Sequence, residues 1–153
     1  MTQYPRSAVA LALGGAILMA LGLYFVFLRP PLLPEDPRFM GSSLAQVQEA
    51  LPGLSLWLRR VFWVMGGYIF TTGLLTVYLA LTAFRSRARG VDSVVAVSGL
   101  TSIGLMVVVN FVIASDFKWL ILSFALPWAV ALVLHRIERS NAWPPWRTTA
   151  DSA

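Results

Sequence analysis

The sequence predicts an all-α protein: a four-helix transmembrane bundle with a structured outer loop that carries a short amphipathic helix. Three observations lead there. Of 153 residues, 58% are hydrophobic and 12% are charged, about half the charged share of a soluble domain, so polar side chains are too few to cover a water-soluble globule of this size. The same apolar content excludes intrinsic disorder. The charges are also clustered, leaving apolar runs of roughly 20 residues, the length a helix needs to cross a hydrocarbon core about 30 Å thick.

The first run, 8–28, is uncharged and lies between Arg6 and the stop Arg29-Pro30-Pro31. It is longer than the apolar region of a secretory leader and has no convincing small-x-small cleavage site, so it reads as a retained span. The second, 61–84, lies between Arg59-Arg60 and the cluster Arg85, Arg87, Arg89. The stretch 93–134 is long enough for two spans and is broken only by Asp116 and Lys118. Asp116-Phe117-Lys118 therefore reads as a tight hairpin between spans 94–114 and 118–134. Pro127 falls inside the fourth span, where neighbouring groups must satisfy the carbonyl it frees. The expected organisation is one membrane domain, 1–139, followed by a cytoplasmic tail, 140–153. In the tail, Trp143-Pro144-Pro145-Trp146 suits the headgroup level better than a polyproline ligand.

The outer loop, 29–60, opens with Pro30, Pro31, Pro34 and Pro37, which favour an extended or turning backbone. Ser43 and Gln46 form a capping-box pattern. Leu44, Val47 and Leu51 follow on one helical face, and Pro52-Gly53 ends the element. From Leu54 the chain is expected to resume helix and run into the second span. The loop reads as a small cap on the outer membrane surface, or as an interfacial anchor only.

Four spans put both termini on one side. That side would carry Arg6, Arg85, Arg87, Arg89, Arg136, Arg139 and Arg147, against Arg29, Arg38, Arg59, Arg60 and Lys118 opposite. The positive-inside rule, led by the short arginine-rich second loop, places both termini in the cytoplasm of a cell inner membrane. The net charge of +5 is thus an orientation signal, and its basic loop suits anionic lipid headgroups rather than nucleic acid.

Helices in a bilayer need close packing or hydrogen bonds to associate. Ala8, Ala12, Ala16 and Ala20, each four apart with Gly15 and Gly22 beside them, offer a small-residue ladder for a neighbouring helix or a second copy. Tyr68, Thr72 and Thr76 share one face of the second span, and Ser98, Ser102 and Asn110 share one face of the third. Asn110 is the most polar side chain within the apolar runs and is expected to face the interior. Arg59, Arg60, Trp63, Tyr68 and Asn110 all fall in the outer half and are the candidate lining of a ligand pocket. The loop residues Glu35, Asp36 and Phe39 lie above, with Glu35 and Asp36 expected to pair with Arg38 or Arg59 and Phe39 to plug the bundle top. A purely structural role competes: Asn110 stapling two helices, Tyr68 bonding a threonine, the arginines meeting lipid phosphates.

Leu33-Pro34-Glu35-Asp36, with Phe39 and Gly41 and then Trp57-Leu58-Arg59 and Val61-Phe62, resembles a set of uncharacterised small bacterial four-span membrane proteins with a Leu-Pro-Glu-Asp loop after the first helix. The resemblance covers about residues 29–84. It implies the same architecture and a structured loop, and carries no activity.

No cysteine is present, which excludes disulfides and thiolate metal sites. One histidine, His135, is expected to mark the interface. No phosphate-binding loop, zinc-protease or nucleophile-elbow motif occurs, and no acid is predicted deep in the membrane, so neither a catalytic centre, a cofactor, a metal site nor a proton relay is expected. The leading functional expectation is a non-catalytic accessory subunit that associates with other membrane helices. The alternative is a lipid or hydrophobic-ligand binding protein or enzyme with a pocket under the outer loop. An oligomeric channel or transporter ranks third. Expected partners are the lipid bilayer and another membrane subunit or a second copy.

Overall fold

The structure, a computed structural model, describes residues 4–141. The tail expected over 140–153 therefore lies, from residue 142 on, outside the described residues. The chain is an all-α bundle and a multi-pass membrane protein: four helical segments are long and apolar enough to cross a membrane. The first is α1 (Arg6–Phe27). After α2 (Glu35–Phe39) and α3 (Leu44–Ala50), the second span is α4 (Leu54–Leu79) with one π-helical turn at Ala80–Phe84. The third is α5 (Val91–Gly99), a π-helical turn at Leu100–Gly104, and α6 (Leu105–Val112). The fourth is α7 (Lys118–Asn141), with Pro127 inside it.

The loop contains one helix more than the sequence suggests. Its prolines were expected to keep residues 30–37 extended or turning, yet Glu35–Phe39 forms a helical turn with Pro34 at its N-cap. The first N–H groups of a helix have no intrahelical partner, so Pro37 in this turn sacrifices no hydrogen bond. The Ser43–Gln46 capping box is present on both sides: the Ser43 hydroxyl accepts from the Gln46 N–H, and the Gln46 side chain accepts from the Ser43 N–H. No residue of α3 is buried, so Leu44 and its neighbours face outward from the bundle.

A close contact joins α1 to α4 through glycines. A β-carbon on Gly15 would lie 2.8 Å from the Gly73 carbonyl oxygen, and one on Gly22 would lie 2.7 Å from the Gly66 carbonyl oxygen. Within the chain this line, and not the expected alanine ladder, joins α1 to its neighbour. Ala8 is fully buried, but Ala12 is only half-buried and Ala16 and Ala20 are exposed. Residues four apart advance about 40° around a helix, so a four-residue ladder drifts by about 120°. Gly15 and Gly22, seven apart, drift by only about 20° and stay on one face.

On its other side α1 packs on α7, and α7 packs on α5 and α6. Trp128 of α7 joins three helices: its indole edge faces Gly14 of α1 and its six-membered ring faces Gly99 of α5, each too close for a β-carbon. Extensive packing between α4 and the third span is missing; α4 is held in the bundle mainly by α1. The bundle is therefore open on that side.

Where the termini of the spans meet, at the end away from the loop, Glu138 of α7 caps α1. Its carboxylate accepts from the Ser7 N–H at 3.2 Å and from the Ser7 hydroxyl at 2.6 Å, satisfying a donor that the first turn of α1 leaves free. His135, expected to mark the interface, lies near this end of α7 with its ring buried in the bundle, stacked on Phe84 with centroids 4.1 Å apart.

Candidate functional site

The end of α1 and the loop cap build a polar site together. The N–H groups of Leu28 and Arg29 both turn back to the Tyr24 carbonyl, so the chain leaves the helix with Arg29 folded over the bundle. Its guanidinium lies 3.7 Å from the centroid of the Phe62 ring and 5.2 Å from that of Phe25. It also donates to the Pro30 carbonyl and sits 3.8 Å from Asp36. Burial pushes the Arg29 guanidinium below its usual range, and the nearby Asp36, Tyr24 and Glu35 act in the opposite direction. Asp36 in turn accepts from the Leu33 N–H at 2.8 Å, closing the turn that starts α2.

That turn fixes Glu35, which is 1% exposed. One carboxyl oxygen, Oε1, accepts from the Ser115 hydroxyl at 2.8 Å. The other, Oε2, is buried with no hydrogen-bond partner. Buried polar atoms are nearly always paired, so this oxygen calls for an explanation. Ser115 is held by its own turn: Ala114 before it adopts a left-handed backbone, φ 51°, and the Ser115 hydroxyl also accepts from the Phe117 N–H.

Below these groups lies a cavity of about 900 Å³, at the upper end of the range for small-molecule sites. Tyr24, Arg29, Glu35, Asp36, Asn110 and Ser115 form its polar lining. Its deeper wall is apolar, with Ile17, Leu21, Met65, Met106 and Phe124. From Ile17 to Phe25 the cavity follows α1 for about 12 Å. Asn110, which also lines the cavity, donates its amide to the Met106 carbonyl of its own helix at 2.8 Å.

The cavity brings together only part of the expected constellation. Asn110, Glu35 and Asp36 line it; Arg59, Arg60, Trp63, Tyr68 and Phe39 do not. Tyr68 is 73% exposed. It lies about 200° around α4 from Gly66, which faces α1. Arg59 is exposed about 10 Å beyond Gly66 along the helix, past the end of α1. Arg60 stacks on exposed Trp63 at 4.2 Å from the ring centroid. Phe39 is also exposed and plugs nothing. The expected ion pairs are exchanged as well: Asp36 meets Arg29, while Arg38 pairs with Asp116 at 3.2 Å on the surface.

Arg29, Tyr24 and Ser115 are the site residues that sequence reasoning missed. Arg29 read only as the stop after the first span. A buried role for it could have been suspected from Phe25 and Phe62, which flank the two ends of the loop. Among the described residues no group of three histidine or carboxylate side chains converges to hold a metal.

A second, shallower cleft of about 600 Å³ occupies the open side of the bundle. It lies between α4, with Val64 and Tyr68, and the third span, with Thr101 and Ser102, over Leu18 of α1. Met65 and Met106 line both this cleft and the cavity. Comparison with protein-family models, curated proteins and solved structures returns no match.

Proposed function

We propose that this protein binds an amphiphile taken from the membrane, with its polar end under the loop cap and its apolar part along α1 and α7. One observation carries the reading: a cavity of about 900 Å³ has a polar end under the cap, with Tyr24, Arg29, Glu35 and Asn110, and a long apolar wall along α1 and α7. The open side supports a membrane source. The cleft between α4 and the third span meets the cavity at Met65 and Met106, flexible side chains suited to a passage between them.

The same cleft supports a second reading, an accessory subunit that receives a partner helix between α4 and the third span. It rests on the missing contact between those elements. Under either reading we place the chain in a bacterial inner membrane with both termini in the cytoplasm, on the strength of its arginine distribution.

The test is mass spectrometry of the protein purified in mild detergent. A stoichiometric amphiphile, reduced in the cavity-filling variant A20W, is the expected result. Wild-type protein that carries no amphiphile and shows no change in melting on addition of long-chain lipids would end the ligand reading. A stoichiometric copurifying membrane protein, lost when Thr101 or Tyr68 is replaced by Trp, would favour the second.

A further inference from the structure

The end of the bundle that holds the termini gathers arginines from three segments of the chain, and three contacts bring those segments together. Glu138 of α7 holds Ser7, which follows Arg6. His135 of α7 stacks on Phe84, which precedes Arg85. The Arg85 guanidinium lies 4.2 Å from the centroid of the Tyr4 ring. Arg87, in the loop after the second span, and Arg139 of α7 are both close enough to His135 to act on its charge. Arg6, Arg87 and Arg139 are exposed. None of the four arginines has a carboxylate partner among the described residues, where the ion pairs, Arg29–Asp36 and Arg38–Asp116, lie at the loop end. The acids near His135 are Asp92 and Glu138, and Glu138 is already engaged by Ser7. Arg6 opens α1 and Arg85 follows the turn that closes the second span, so both stand where the spans leave the hydrocarbon. At that depth a guanidinium meets phosphate oxygens, which its planar fork can bind in pairs. The unpaired positive charge repels the ammonium of a zwitterionic headgroup and favours a headgroup with net negative charge.

We infer that this end of the bundle binds an anionic phospholipid, its phosphate held by Arg6, Arg85, Arg87 and Arg139. The site lies at the opposite end from the cavity under the loop and stands independently of it. Contacts between segments set it apart from a general attraction to the leaflet: the Ser7–Glu138 bonds and the Phe84–His135 stack fix the backbone from which these arginines project.

The experiment uses the full chain in a neutral detergent at physiological salt. Phosphatidylglycerol and phosphatidylcholine with the same acyl chains are titrated separately, and bound lipid is counted by native mass spectrometry. An arginine at a charged lipid surface is worth about fivefold in affinity. Phosphatidylglycerol should therefore bind more tightly than phosphatidylcholine by more than about fivefold. R87Q/R139Q should weaken phosphatidylglycerol by about 25-fold and leave phosphatidylcholine unchanged. If the double variant does not fold, R139Q alone should show a loss of about fivefold. R59Q/R60Q removes the same charge at the other end of the bundle, beyond the reach of unscreened attraction, and should stay within about twofold of wild type. A20W, which fills the distant cavity, should bind phosphatidylglycerol as wild type does. Equal losses in R87Q/R139Q and R59Q/R60Q would overturn the site in favour of attraction to net charge. No preference for phosphatidylglycerol over phosphatidylcholine would overturn it outright. Loss of phosphatidylglycerol in A20W would move the lipid to the cavity and overturn it as well. Displacement of phosphatidylglycerol by a short polyglutamate peptide at equal concentration would overturn it in favour of an acidic protein partner.

Discussion

The glycine contact between α1 and α4 makes a prediction that can be isolated from helix propensity. Gly67 and Gly73 both lie in the interior of α4. A β-carbon on Gly67 meets nothing within 4 Å, whereas one on Gly73 falls 2.6 Å from both the Gly15 carbonyl oxygen and the Met19 nitrogen. Replacing either by Ala gains the same propensity, about 1 kcal/mol in a helix interior, so that term cancels in the difference. What remains is the clash. Opening the contact to 3.4 Å, where ordinary contact begins, moves α4 away by 0.8 Å. A gap of that size forfeits a quarter to a half of each dispersion contact along the interface. Both blocking atoms are backbone and cannot rotate aside. G73A should therefore be less stable than G67A by about 1–3 kcal/mol, the usual cost of overpacking. Unfolding of the two variants in the same mixed micelles, followed by helical circular dichroism, measures the difference. A gap below about 0.5 kcal/mol would refute the claim that α4 is held by this interface.

Three further outcomes are expected. E138A strips the acceptor from both donors of buried Ser7 and should cost about 1–3 kcal/mol, whereas R38A breaks an exposed ion pair with Asp116 and should cost less than about 1 kcal/mol at low salt and less still at high salt; the same unfolding assay ranks them, and an equal cost would contradict the assignment. A114G relieves a left-handed backbone at a residue with a side chain, φ 51°, and should raise stability by up to about 1 kcal/mol; a lower melting temperature would show that the turn gains more from the alanine than it loses. Because the chain has no native cysteine, A45C in α3 and S86C in the loop after α4 report topology cleanly. A membrane-impermeant thiol reagent should label A45C and not S86C in intact cells, and the reverse would invert the proposed orientation.

What the sequence made legible and what it hid differ in kind. Apolar runs and the charges that end them are sums over some twenty residues, so the four spans survive local error. The capping box at Ser43 and Gln46 is a local rule and was readable for the same reason. The faces of the helices were harder. Polarity suggested that Tyr68 and Arg59 turn inward, but Gly66 and Gly73, by letting α4 approach α1 so closely, fix the rotation and send Tyr68 outward. The alanine ladder misled because a four-residue spacing rotates away from any straight contact line, while the seven-residue spacing of Gly15 and Gly22 holds to it. Arg29 was hidden by its position: a charge next to a span reads as a boundary, and only the turn at Tyr24 shows that it folds back over Phe62.

The cavity follows from the same packing. The glycines draw α4 close to α1 on one line, and Trp128, between Gly14 and Gly99, draws α1, α5 and α7 together on another. The glycine line runs from the middle of α1 toward the loop, so α1 and α4 stay together there. Bulky side chains such as Tyr24, Phe25, Phe62 and Phe117 line the space left between this pair and the third and fourth spans. The loop then has to cover the opening. It does so by placing the five-residue helix α2, with Glu35 bonded to Ser115 of the opposite turn. A cap that only sealed the bundle would be expected to present an apolar side chain there, since a buried carboxyl with one bare oxygen weakens the fold. That Glu35 occupies this place is the physical reason to propose the cap as part of a binding site, and replacing Glu35 with a hydrophobic residue of similar size should accordingly raise the unfolding midpoint of the protein while weakening the proposed amphiphile binding.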